Sequence, residues 1–193
     1  MADRFKNLAE WDGKDPDPSY LLSFRAREKE VGTPHEGVSP PVPKSPTKWV
    51  VNNSKSAMTD DKTVIMSLES ENDIPGRFGV SGPASLIVRC HENTTSIYFV
   101  LAGHYLAEIQ GHDKVAYRLD SEKPSTTRFS VSTDNEAMGL WSGGRAIPFL
   151  KNMLGKDQMV VRLTPYSESP VEMTFKISGM DEAIKDLRNT CGW

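Results

Sequence analysis

The stretch Val171-Glu172-Met173-Thr174-Phe175-Lys176-Ile177, continued by Ser178-Gly179 and the run from Met180 to Trp193, decides the fold. In residues 171–177 the odd positions are apolar and the even ones polar, the period of a strand with one wet face. Beyond it, Met180, Ala183, Ile184, Leu187 and Cys191 recur at helical spacing, and Ser178 with Asp181 resembles a capping box. Neither face is stable alone, so the helix is expected to lie on a sheet that contains the strand.

Working outward, short β-type runs alternate with turn residues back to Trp49. Strands are expected at Lys48-Asn52, Thr63-Ser70, Ser85-His91, Ser96-Leu101, His104-Ile109, Lys114-Asp120, Thr127-Ser132, Glu136-Trp141, Met159-Leu163 and Val171-Ile177. Val64, Met66 and Leu68 share one face, whereas Leu86-Ile87-Val88 and Ile97-Tyr98-Phe99-Val100-Leu101 are denser and suit central strands. A short helix is expected over Arg145 to Leu154, with Pro148 in its first turn and Gly155 after its end. The expected architecture is a mainly β, antiparallel sandwich-like domain over residues 49–193, with the helix near 145–154 and a C-terminal helix packed on the sheet.

Residues 1–48 differ in texture. Pro16, Pro18, Pro34, Pro40, Pro41, Pro43 and Pro46 are more than half of the chain's 13 prolines. Ser19 to Glu30 can form a short helix, and Val31 to Thr47 reads as a linker of polyproline character, about 3.1 Å per residue where that helix forms. This part is an extended arm, too small for a core of its own. Its large apolar groups Trp11, Tyr20, Leu21, Leu22 and Phe24 gain little unless buried against something, so they are candidate anchors to a partner.

A net charge of -3 and a pI of about 5.8 with no long basic run give no general attraction to nucleic acid or anionic membrane. No window approaches the roughly 18 to 20 apolar residues of a spanning helix. Charges scattered through the first residues, among them Asp3, Arg4, Lys6 and Glu10, do not suit a signal peptide, so synthesis in the cytoplasm without export by that route is expected.

Chemistry is sparse. His91, His104, His112 and Asp113 lack chelating spacing, so no metal site or cofactor is expected. The serines include no G-x-S-x-G elbow. Asp60-Asp61 and Ser132-Thr133-Asp134 superficially suit a glycosidase or a calcium loop, but both are ordinary turn sequence. Ser142-Gly143-Gly144 lacks the Lys and hydroxyl of a phosphate loop.

Cys90 lies in an expected central strand on the face of Leu86 and Val88, and Cys191 on the helix stripe of Ile184 and Leu187. Both point to the helix–sheet interface and are expected to lie close together, either bridged or as two buried thiols. Arg89, next to Cys90 in sequence, would activate its thiol only if the two side chains lay close, and it is expected on the opposite face of the strand, so a catalytic cysteine is not expected.

Several segments, in order, resemble the type VI secretion-associated TagO (VasI-like) family. They are Trp49-Val50-Val51, Ser56-Ala57-Met58-Thr59-Asp60-Asp61-Lys62-Thr63-Val64, Leu86-Ile87-Val88-Arg89-Cys90, Tyr117-Arg118-Leu119-Asp120, Ser132-Thr133-Asp134, Pro165-Tyr166, Phe175-Lys176-Ile177-Ser178-Gly179-Met180 and Leu187-Arg188-Asn189-Thr190-Cys191-Gly192-Trp193. The resemblance covers the C-terminal three quarters of the chain. It implies an accessory to a contractile injection machine without a catalytic set. Contractile machines are related to phage tails, and the arm without a signal departs from the family. The expected function is therefore a non-enzymatic structural or interaction module of a phage virion or related contractile assembly, tethered by its arm. Its partners are other proteins and further copies of itself. The alternative is a type VI secretion accessory that binds a cell-envelope partner, with a hydrolase as a third class. The first reading puts the protein in a virion or secretion-related assembly rather than free in the periplasm.

Overall fold

Val64, Met66 and Leu68 are buried while their neighbours Ile65 and Ser67 are half-exposed, and Val171, Met173 and Phe175 repeat the pattern. The alternation therefore builds sheets with one dry face. The computed structural model describes residues 47–77, 79–101 and 103–193. The expected arm with its helix and linker lies outside them, apart from its last residues.

Among the described residues ten strands form two packed antiparallel sheets. They are β1 (Val50–Lys55), β2 (Lys62–Ile74), β3 (Gly82–His91), β4 (Thr94–Leu101), β5 (Lys114–Leu119), β6 (Ser125–Arg128), β7 (Ser130–Val131), β8 (Ala137–Leu140), β9 (Met159–Leu163) and β10 (Val171–Phe175). One sheet runs β1-β2-β3-β4-β8-β7 and the other β10-β9-β5-β6. Phe99 of β4 and Phe175 of β10 meet between them at 5.9 Å, with Phe129 at 5.7 Å from Phe99.

Two devices join the sheets at their margins. The register of β2 against β3 shifts between Glu69 and Asp73. This β-bulge turns Asn72 outward. Its amide nitrogen donates to the Glu172 carbonyl at 3.0 Å and its oxygen accepts from the Thr174 amide at 2.9 Å. One side chain thus stands in for a missing neighbour of β10. At the other margin, the expected strand Thr127-Ser132 is two strands in different sheets. Phe129, 1% exposed, turns into the core between them, and its amide donates to the Asp113 carbonyl.

The expected strand His104-Ile109 is not one. His104 and Leu106 are buried and Tyr105 is exposed, so the alternation is present, but no strand pairs with the segment. Asn135 supplies its bonds instead: the Leu106 amide donates to the Asn135 carbonyl, and the Asn135 side chain donates to the Leu106 carbonyl. A single 3-10 turn, Ile109–Gly111, follows.

Helix α1 (Gly143–Met153) starts earlier than expected, so Pro148 falls in its second turn, not its first. The C-terminal helix is two pieces, α2 (Met180–Ala183) and α3 (Lys185–Cys191), meeting at Ile184. No capping box forms. Gly179, at φ 80, precedes α2, and Asp181 accepts a hydrogen bond from the Gly155 amide at 3.0 Å, committing its carboxylate to a distant loop. The helix does lie on the sheet as expected, with Ile184 and Leu187 buried over β2 and β3.

Cys90 and Cys191 form a disulfide, with Cα atoms 5.9 Å apart. Trp193 adds a second tie, its indole donating to Thr95 Oγ1 at 2.9 Å while Arg188 sits over its ring at 5.1 Å. At the other end of the domain Trp49 is buried, and its indole donates to the Ile177 carbonyl.

Candidate functional site

Because side chains alternate, the residues of β3 and β4 between the buried ones point away from the core. Arg89, Tyr98 and Val100 therefore share the outer face, joined by Trp141 just beyond β8. Register brings them together: Arg89 pairs with Ser96, and Tyr98 pairs with Gly139. The missing side chain at Gly139 leaves room for two large rings. Tyr98 and Trp141 stack at 5.0 Å with planes 29° apart, and the Trp141 indole donates to the Ser130 carbonyl at 2.8 Å. The Arg89 guanidinium lies over the Tyr98 ring at 5.8 Å. The result is a cation–tyrosine–tryptophan ladder across three strands.

A methyl group at position 139 would meet Tyr98 Cβ at 2.7 Å, Trp141 Cζ2 at 2.9 Å and the Ile97 carbonyl at 3.0 Å. Gly139→Ala is therefore expected to cost about 1–3 kcal/mol and to unstack the rings. Denaturant unfolding and near-ultraviolet dichroism check this, and an unchanged aromatic spectrum would contradict it.

The ladder floors a groove of about 490 Å³ whose other wall is the loop from Ser132 to Ala137. Ser132 closes that loop: its amide bonds to the Ala137 carbonyl, and its hydroxyl accepts from the Ala137 amide and donates to Asp134. The Glu136 amide also donates to Asp134 Oδ1. These bonds, the Ser132 hydroxyl foremost, hold the Asp134 carboxyl below the usual carboxylate range. Their contribution to the loop is present above the ordinary carboxylate pKa and is lost as pH falls through the lowered one.

Charges of both signs face this groove without pairing. Among the described residues the Arg89 side chain makes no hydrogen bond or ion pair, and its Nε is enclosed without a partner. The hydroxyl of Ser96, beside it in register and 2% exposed, is likewise without a partner. Glu136 engages no cation among the described residues.

The other candidates have structural places. Asp60 and Asp61 belong to the β1–β2 turn, where Asp60 pairs with Lys55 at 2.7 Å. Ser132-Thr133-Asp134 is a hairpin loop, as its composition suggested, yet it also forms a groove wall. His91 contacts Thr63 Oγ1 at 3.0 Å. His104 bridges the Pro75 carbonyl at 2.6 Å and Glu168 at 2.8 Å, the second contact lacking hydrogen-bond alignment. Asp113 pairs with Arg128. Among the described residues no three His, Cys, Asp or Glu side chains cluster as metal ligands, and no helix is long and apolar enough to cross a membrane. Trp11, Tyr20, Leu21, Leu22 and Phe24 lie outside the described residues. The ladder was not singled out in the sequence, although its members occupy outward positions of dense strands, where a large or charged side chain is the available signal.

Among solved structures, the fold is similar to the crystal structure of invasion associated protein b from Bartonella henselae. The TM-score is 0.49 and the identity 10%, over 76% of this chain and 95% of that one. No curated protein sequence matches the chain. The family described as "Type VI secretion system VasI, EvfG, VC_A0118" matches residues 31–193. The match takes in both sheets, the bridged cysteines and the Cys-Gly-Trp ending, and begins upstream of Trp49 within the proline-rich stretch. The chain belongs to the type VI secretion system VasI family.

Proposed function

We propose that the domain is a non-enzymatic binding module of a type VI secretion apparatus, holding a protein partner in the Arg89–Tyr98–Trp141 groove. The observation that carries this is the ladder itself, because arginine, tyrosine and tryptophan are the side chains that most often dominate protein interfaces. In this groove they are half-exposed, ordered by stacking, and walled by a polar loop. The Ser132 hydroxyl is engaged in closing that loop. Family membership supports a secretion accessory over a virion component. The Cys90–Cys191 bridge supports a working place that is oxidising, at the cell envelope or beyond it. In this reading residues 1–48 are the tether, through Trp11, Tyr20, Leu21, Leu22 and Phe24.

The test is secretion by cells whose only copy carries Trp141→Ala or Arg89→Gln in the full chain. Both variants are expected to keep the disulfide and the far-ultraviolet spectrum, because neither side chain enters the core. Secretion should fall, since loss of a hot spot of 2 kcal/mol or more weakens binding more than about tenfold. Normal secretion by both variants would contradict the proposal.

A further inference from the structure

We propose that the groove's occupant is a peptide segment bearing two opposite charges. A carboxylate docks on Arg89, an apolar side chain lies on Tyr98 and Trp141, and a cationic side chain reaches Asp134 and Glu136. This deepens the reading of the groove as a protein-docking site and rests on it.

The argument begins with what Arg89 lacks. A guanidinium carries donors in a fixed fork that matches a carboxylate bidentately. Here the charge is half-buried, sits on the face of Tyr98, and has no acceptor among the described residues. Enclosing the Nε donor without a partner is unfavourable, so a ligand that brings an acceptor is favoured. The opposite wall makes the complementary demand. Asp134 uses one carboxylate oxygen to close its loop and stays ionised into acid, while Glu136 pairs with no side chain among the described residues. A wholly anionic segment would meet two carboxylates, and a wholly cationic one would meet Arg89. Like charges brought together across an interface reject the wrong partner. Only an occupant with both signs satisfies both walls, and the stacked rings between them favour an apolar group at the centre.

The probe is an array of synthetic hexapeptides with one acidic, one basic and one apolar residue among glycines, in both orders and all spacings. Control arrays replace the acidic or the basic residue by glutamine, and a neutral oligosaccharide is included. Binding to the oxidised full chain is read from the Trp141 indole N–H resonance. The best two-charge peptides are expected to bind about tenfold tighter or more than either control, and to weaken toward 1 M salt. Arg89→Gln should remove the preference for the acidic residue only, and Glu136→Gln should diminish the preference for the basic one only. Equal binding of all peptides, no shift by any peptide, or a shift by the oligosaccharide alone would overturn the proposal. If secretion nonetheless fails with Trp141→Ala, the docking site stands and only the two-charge occupant is rejected. If secretion is normal with Trp141→Ala and Arg89→Gln, the docking site itself fails.

Discussion

Replacing Cys90 by alanine and Cys191 by serine together is expected to lower the unfolding free energy by about 4–5 kcal/mol and the midpoint by roughly 10–20 °C. The bridge joins residues 101 apart in sequence, so in the unfolded chain it removes the freedom of a loop spanning most of the domain. Its loss is also local. Helix α3 has seven residues, too few to persist by its own hydrogen bonds, and depends on docking. Without the bridge it keeps Ile184 and Leu187 in the core, the Trp193 bond to Thr95 and the Arg188 contact. Urea unfolding of the oxidised protein and the double variant measures the difference. A loss below about 1 kcal/mol would show that the C-terminal helix holds without its covalent tie.

Phe99→Ala is expected to cost about 3–5 kcal/mol, the usual range for an enclosed phenylalanine. Phe99 is fully buried on β4 and touches both Phe129, at the corner between the sheets, and Phe175 on β10. The chain of rings continues from Phe129 to Phe149 of α1 at 5.6 Å and on to Tyr117 of β5 at 4.9 Å. A cavity at Phe99 therefore weakens both sheets and the α1 contact at once, and the transition should stay single while its midpoint falls. Tyr166→Ala, at an exposed ring 5.9 Å from Tyr105, serves as the control and should change stability by no more than about 0.5 kcal/mol. Equal losses in the two variants would contradict the placement of Phe99 at the junction.

Most strands were legible because burial is written into their alternation, as in Val64-Met66-Leu68 and Val171-Met173-Phe175. Misreadings arose where a distant partner decides the outcome. His104 and Leu106 alternate as strand residues do, but Asn135, far along the chain, supplies the hydrogen bonds that a neighbouring strand would. Ser178 and Asp181 have capping-box spacing, yet Asp181 is taken by the Gly155 amide. Thr127-Ser132 reads as one strand because nothing local reveals that Phe129 turns the chain from one sheet to the other. The proximity of Cys90 and Cys191 was legible, since two independent face assignments pointed them into the same interface, whereas the choice between a bridge and two thiols was not. The groove was not, because register rather than residue type sets Tyr98 beside Gly139 and Arg89 beside Ser96.

The docking role of the groove is tested most directly by site-specific photo-crosslinking in cells with an active type VI apparatus. One photoreactive residue replaces Thr133, in the groove wall, and another replaces Met58, 95% exposed in the β1–β2 turn. The expected result is a protein adduct from position 133 that disappears when Trp141→Ala or Arg89→Gln is added, with no such adduct from position 58. An adduct at 133 that survives both substitutions, or equal adducts at the two positions, would contradict the account.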